Sequence, residues 1–525
     1  GTYVKSSLET HLDVGDKTND VLRVDAGELR CRVIGEGGNL GMTQLARVEY
    51  SLGGGRCNTD FIDNAGGVDC SDHEVNIKIL LNAVIARGEL DREQRNALLV
   101  QMTESVAELV LCNNYHQTQA ISLVEHQAHE RANEYQRFIR AFEESGDLNR
   151  QLEFLPTDDE LQERRAQGGA LTRPELSVLV SYEKAILKKH LMDVQFNGDR
   201  YVFRAARSAF PQELVERYPR DIEEHRLHRE IVATQIANDI VNRMGLNFVQ
   251  RQRRATGAPI PDVARAYAAV LEIYRLRELW QEIEALDHRV SSDVQMAMML
   301  TLIRLVKRST RWLLRNRRRE LAPGEVVEQF RSGIEQLREL FPDVLRGAAA
   351  DAYRQTRQYH EEQGVPASLA GAIAGAHHAY SALGVVQGAQ EARATLPDVA
   401  NLYYLLGERL ELDWFAGQII ATKVDNEWQA LARDSFLEDL EWQQRTLAIA
   451  TLPDMGGEGS LVDCLERWET REAGLLQRWR EMLVELRAGA APDFAMLAVA
   501  NRELLDLAQS STRGGERPNA TAEAS

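Results

Sequence analysis

From Ser71 to about residue 510 the chain is a succession of long segments with apolar residues at i, i+3, i+4 and i+7. That spacing puts the apolar side chains on one face of a helix and leaves a strand no consistent inner side. Prolines fall near the starts of these segments, as in "TRPELSVLVSYEKAIL" (172–187), "PIPDVARAYAAVLEIYRLREL" (259–279) and "LPDVANLYYLLGERL" (396–410). Thr or Asp beside Pro suits a first helical turn, because the free N–H groups gain an acceptor and Pro has no N–H to leave unpaired. Helices are expected over about Ser71–Arg87 and Asp91–Glu144, with more to follow.

Residues 1–70 read differently. They are glycine-rich and proline-free, with strand-like runs "RCRVI" and "RVEYSL". The fold class expected is therefore mainly α: a large helical bundle behind a small α/β piece. Boundaries are set at 1–85, 86–510 and a Gly/Ser/Thr/Glu-rich tail, 511–525, expected to be disordered.

Composition narrows the function classes. The 525 residues carry a formal net charge of −18, which argues against a general affinity for nucleic acid or anionic membranes. No run of roughly 18 apolar residues suggests a membrane span, and the polar start "GTYVKSSLETHLDVGDKTND" has no apolar core of a secretory signal. Five cysteines, odd in number and without a C-x-x-C pair, point to a reducing, cytoplasmic setting. No metal site is expected: His126 and His129 stand three apart, but no third ligand is placed by the pattern. In "RLVKRSTRWLLRNRRRE", Arg304, Arg308, Arg311, Arg315 and Arg319 share one helical face. A salt-bridged or solvated face is the plain reading, and a docking face the alternative. The small-residue stretch 367–385 reads as tight core packing, with a subunit interface as the sharper alternative.

Two glycine segments carry the candidate chemistry. "VIGEGGNLG" (33–41) follows an apolar run and precedes a possible helix from Thr43. Its G-x-G-x-x-x-G spacing is not the dinucleotide fingerprint, and a tight turn explains it equally well. "DNAGGVDCSDHE" (63–74) places Asn64 before Gly66-Gly67 and ends in Ser71-x-x-Glu74, a capping-box pattern. A helix start there caps itself or receives an anion, and the two readings are compatible.

Taken in order, residues 1–82 resemble the large bacterial NAD-dependent glutamate dehydrogenases, and the similarity continues through 170–187, 230–245 and 310–318. The resemblance implies a dehydrogenase core of Rossmann type, of which this is the C-terminal end. It implies that Glu36, Gly37 and Asn39 approach the nicotinamide end of NAD. Asn64, Val68 and Ser71 would line the L-glutamate/2-oxoglutarate pocket, with Ser71 on the distal carboxylate; Asp69, Cys70 and His73 receive no role. The reaction also needs a lysine of lowered pKa and a phosphate-binding turn. Neither is found, so no catalytic residue is assigned in this chain, which is expected to be the C-terminal portion of a larger homo-oligomeric enzyme and inactive alone. A non-catalytic helical scaffold or regulatory module is the alternative.

Overall fold

The computed structural model describes residues 1–192, 200–317, 322–424, 426–452, 461–489 and 492–515. Its chain is mainly helical and divides into two compact units, one comprising Gly1–Ala268 and the other Ala269–Arg317 with Gly324 onward.

In the first unit, the described residues contain one two-stranded parallel sheet, β1 (Val4–Lys5) and β2 (Val24–Asp25), in register Val4↔Val24. The run "RCRVI" contributes only an isolated bridge, Val33↔Arg56. "RVEYSL" is not a strand. It lies in helix α1 (Gln44–Leu52), whose N-cap Thr43 accepts from the Ala46 N–H. Period-2 reading failed there because Ala46, Val48 and Tyr50, all buried, lie on a helix enclosed on most sides. Ala26, Met42, Ala46, Tyr50 and Cys57 form a small core beneath the glycine loop.

Helix α2 (Ala65–Ala86) begins six residues before the expected start at Ser71. Ser71 is inside it, and its hydroxyl donates to the Gly67 carbonyl at 3.2 Å, one turn back. The helix extends through both glycines because Gly66 lets α3 (Thr103–His126) come close: a Cβ at Gly66 would meet Asn114 Nδ2 at 2.9 Å. The expected Asp91–Glu144 segment is three helices, Arg92–Gln101, α3 and Ala132–Glu144. At the centre lies α4 (Arg173–Met192), with Leu176–Val180 buried without a break. At its entry the Glu175 carboxylate accepts from the Thr172 N–H and hydroxyl at 2.6 and 2.7 Å and pairs with Arg164, so Thr172 donates where an acceptor was expected. Helix α5 (His228–Met244) packs along α4. Helices beyond residue 85, as far as Ala268, thus share one compact unit with residues 1–85.

The second unit is all helix among its described residues. Helix α6 (Ser292–Asn316) carries the arginine stripe; three of its arginines are salt-bridged, and Arg304 donates to the Leu300 carbonyl at 3.3 Å. Arg308 pairs with Glu441, Arg311 with Asp434 at 2.7 Å and Glu438 at 3.3 Å, and Arg315 with Glu438. Arg319 lies outside the described residues. The small-residue stretch forms α7 (Ala367–Ala376), a turn and the start of α8 (Ala382–Ala392), both largely buried. A Cβ at Gly375 would meet Phe341 at 3.0 Å, and one at Gly388 would meet Ile449 at 2.9 Å, so the small residues serve close packing within the unit. Helix α9 (Leu396–Arg409) starts at Thr395 with Pro397 in its first turn. Helix α10 (Glu427–Thr451) packs against α11 (Phe494–Gly515). Residues 511–515, expected in the tail, belong to α11: Ser511 is buried and accepts from Trp468 Nε1 at 2.9 Å, which holds the last turns in place. Residues 516–525 lie outside the described residues.

Candidate functional site

The two glycine segments, 25 residues apart at their asparagines, meet: Asn64 Nδ2 donates to Asn39 Oδ1 at 2.7 Å. Each asparagine is placed by its local chain. Asn64 is the single residue between the short helix Asp60–Asp63 and α2. Asn39 sits at the tip of an exposed loop held by carboxylates from 60–63. The Glu36 N–H donates to Asp63 Oδ2 at 2.9 Å, and the Leu40 N–H to Asp60 Oδ2 at 2.8 Å. Leu40 takes a φ of +65°, which a loop of this shape needs and a leucine seldom adopts.

Glu36 departs from its expected position. It is buried beneath the loop, paired with Arg47 at 2.6 Å and accepting from the Met42 N–H at 3.0 Å. Arg47 also reaches Asp60 at 3.3 Å. Its carboxylate is therefore occupied internally and shapes the loop without facing outward. Gly37 is exposed, and a Cβ there or at Gly38 would meet nothing within 4 Å. The loop tip is consequently open to a ligand.

Along α2, Asn64, Val68 and Ser71 follow at intervals of four and three, one above another on the same face. Val68 is 62% exposed, and Ser71 is exposed as well. The face thus offers an amide, an apolar side chain and a hydroxyl in line. Asn64 Oδ1 and Asn39 Nδ2 have no partner among the described residues, so the pair presents one acceptor and one donor. That combination complements a primary carboxamide, which needs one of each. Among the described residues nothing forms a dinucleotide-binding sheet around this loop.

Other groups emerge only from the structure. Behind α2, between α2, α3, α4 and α5, lies a cavity of about 450 Å³. Lys184 lines it, and burial pushes its ammonium down to about 7. The neighbouring Glu183 is buried, with its carboxyl pushed up to about 7 by desolvation. An adjacent Glu-Lys pair inside the apolar run "SVLVSYEKAIL" was the available signal. His126 and His129 bring no third ligand with them, and Glu125 beside them pairs with Arg173 at 3.0 Å. Among the described residues no group of three His, Cys, Asp or Glu side chains could hold a metal ion.

The chain is thus mainly helical, with a loop and a helix start converging on an exposed amide pair. The profile "Bacterial NAD-glutamate dehydrogenase, catalytic domain" matches residues 1–124, and "Glutamate dehydrogenase, C-terminal" matches residues 168–506. The NAD-specific glutamate dehydrogenases of Pseudomonas aeruginosa, Halomonas elongata and Mycobacterium tuberculosis are 50%, 47% and 35% identical to it, each over 98% of this chain. The chain spans 32% of the length of each relative. It belongs to the bacterial NAD-glutamate dehydrogenase family.

Proposed function

We propose that this chain is the C-terminal portion of an NAD-dependent glutamate dehydrogenase, which converts L-glutamate, water and NAD to 2-oxoglutarate, ammonia and NADH. The observation that carries the reading is the meeting of Asn39 and Asn64, with Val68 and Ser71 continuing the same exposed face. Asn39 and Asn64 orient the cofactor's carboxamide over this wall of the site, and Gly37 leaves the backbone accessible. Val68 packs on the substrate's methylenes, and the Ser71 hydroxyl turns from the Gly67 carbonyl to donate to the distal carboxylate. NAD, when bound, takes the hydride. Glu36 is reassigned from contact to positioning, since Arg47 and the Met42 N–H occupy it.

The catalytic lysine is read as lying outside this chain. Its eight lysines are Lys5, Lys17, Lys78, Lys184, Lys188, Lys189, Lys307 and Lys423, and none stands in the loop 33–41 or on α2 before Lys78. Lys78 pairs with Glu74, and Lys5 with Asp25. Large apolar side chains stand in water near the amino end, among them Leu8, Leu12, Val21, Leu22 and Val33. Such a concentration suits burial against the upstream part of the same enzyme. Cytoplasmic residence fits five free cysteines, and no described helix is long and apolar enough to cross a membrane. A homo-oligomer completes the proposal, to be checked by sedimentation.

The second unit holds none of the site residues. That favours, for this part, the scaffold, regulatory or assembly role.

The test is glutamate-dependent NADH formation by the protein at its natural length and by residues 1–525 alone. Activity in the former only is expected. Activity in residues 1–525 alone would overturn the placement of the lysine, and activity in neither would overturn the enzymatic reading.

A further inference from the structure

We propose that Arg173, at the start of α4, is a positioning residue of the cofactor site: through Asn58 and Asp63 it holds the loop 33–41 against Asn64 for the nicotinamide end of NAD. The inference rests on the reading of Asn39 and Asn64 as cofactor contacts. It adds a residue that stands 115 positions beyond the first group it touches.

The path is a run of three hydrogen bonds. Arg173 Nε donates to Asn58 Oδ1 at 2.6 Å. Asn58 Nδ2 donates to Asp63 Oδ1 at 2.7 Å. The other oxygen of that carboxylate accepts from the Glu36 N–H at 2.9 Å. The Asn58 amide thus turns its oxygen to a cation and its nitrogen to an anion, and each bond polarises the next in the favourable sense.

Both ends suit the role. Arg173 is anchored on α3: Nη1 donates to Ser122 Oγ at 2.9 Å and Glu125 at 3.0 Å, and Nη2 to the Thr118 carbonyl at 3.1 Å. Its side chain is 15% exposed, and a lysine, with one nitrogen, cannot reach groups so spread. The loop carries Gly35, Gly37 and Gly38, so its backbone needs outside anchors to keep one shape. The Ile34 N–H donates to the Arg56 carbonyl at its entry, and the Leu40 N–H to Asp60 near its exit; between them, Asp63 holds Glu36. Asp63 is also the residue before Asn64. One turn of chain therefore receives the pull of Arg173, fixes the loop and places the amide that meets Asn39. A brace between Asn58 and α4 needs only the first bond of the path, whereas positioning needs all three.

The experiment compares variants of the natural-length protein by KM for NAD, KM for glutamate, Tm and hydrogen exchange over 34–41, which reads the path without turnover. Asn58→Asp separates the two roles: it keeps an acceptor for Arg173, now an ionic one, and loses the donor to Asp63. The KM for NAD is expected to rise at least roughly fivefold and that for glutamate less than about twofold, with faster exchange over 34–41 and Tm retained. Asn58→Ala and Arg173→Met, singly and together, should raise the KM for NAD by one similar factor, because both cut the same path. Glu125→Gln removes the ion pair of Arg173 but leaves the path whole, and should leave that KM unchanged. An unchanged KM for NAD in Asn64→Leu overturns the cofactor reading and this inference with it. A raised KM there, with Asn58→Asp and Asn58→Ala like the parent, overturns the positioning role alone. So does a fall in Tm with both KM values moving equally.

Discussion

Helix α4 in the first unit and helix α6 in the second both carry charged side chains out of full contact with water. They treat that charge in opposite ways. On α6 each of Arg308, Arg311 and Arg315 meets a carboxylate of α10, and Arg308 also stacks on Tyr380, 3.2 Å from the ring centre. On α4 neither Glu183 nor Lys184 has an ionic partner among the described residues; Glu183 receives the Asn247 N–H and Lys184 donates to Gln117. The first arrangement satisfies its own charges and holds helices together. The second leaves them shifted, beside a cavity. Buried charge that is paired speaks for structure, and buried charge that is unpaired speaks for a ligand.

The largest expected effect breaks the paired side. Arg308→Met leaves Glu441, whose carboxyl burial already pushes up, without a counter-charge. A loss of roughly 3 kcal/mol, the low end for a buried pair because Arg308 keeps 34% of its side chain exposed, is expected in denaturant unfolding, and a loss below about 1 kcal/mol would put the ladder among surface pairs of little weight.

Glu183 comes next. Its folded pKa of about 7 stands above the ordinary carboxylate value of 4.5, so the folded state holds the proton more tightly. Stability from this group is fully present below the unfolded value and falls as pH rises through the folded one. Glu183→Gln should remove roughly 3 kcal/mol of that pH dependence. Tm measured between pH 4.5 and 7 checks it.

Ser71→Ala follows. Because Ser71 lies inside α2 and not at its cap, stability should move by less than about 0.5 kcal/mol. Glutamate use in the natural-length enzyme should weaken by roughly 1–3 kcal/mol if its bond to the carboxylate is lost. A Tm drop with KM unchanged would return Ser71 to a purely structural role.

Lys184→Met is the smallest. Its folded pKa of about 7, below the ordinary 10.5, means that folding disfavours the charged form. The penalty is complete below the folded value and fades as pH rises toward the unfolded one. The variant should be more stable near pH 6 by about 1–2 kcal/mol, after discounting for partial exposure, with a smaller gain near pH 10.

Much of this was legible in the sequence. The 3.6-residue period announced the helices, and Pro397 beside Asp398 located the start of α9. The face Asn64, Val68 and Ser71 followed from resemblance, and the structure puts those residues in line with Asn39 as their neighbour. What stayed hidden depended on three-dimensional partners. Ser71-x-x-Glu74 has the letters of a cap, but the helix begins at Ala65, and Ser71 instead bonds the Gly67 carbonyl one turn back. Glu36 belongs to the motif, but only the fold shows Arg47, 11 residues on, closing over it. His73 looked like a bystander until Ala209, 136 residues away, fixed its tautomer.

The most direct test of the amide pair is Asn64→Leu in the natural-length enzyme, with KM for NAD and Tm measured together. The predicted result is a KM for NAD raised at least roughly tenfold, the worth of about 1.4 kcal/mol, with Tm unchanged. Unchanged KM would contradict the assignment of Asn39 and Asn64 to the cofactor.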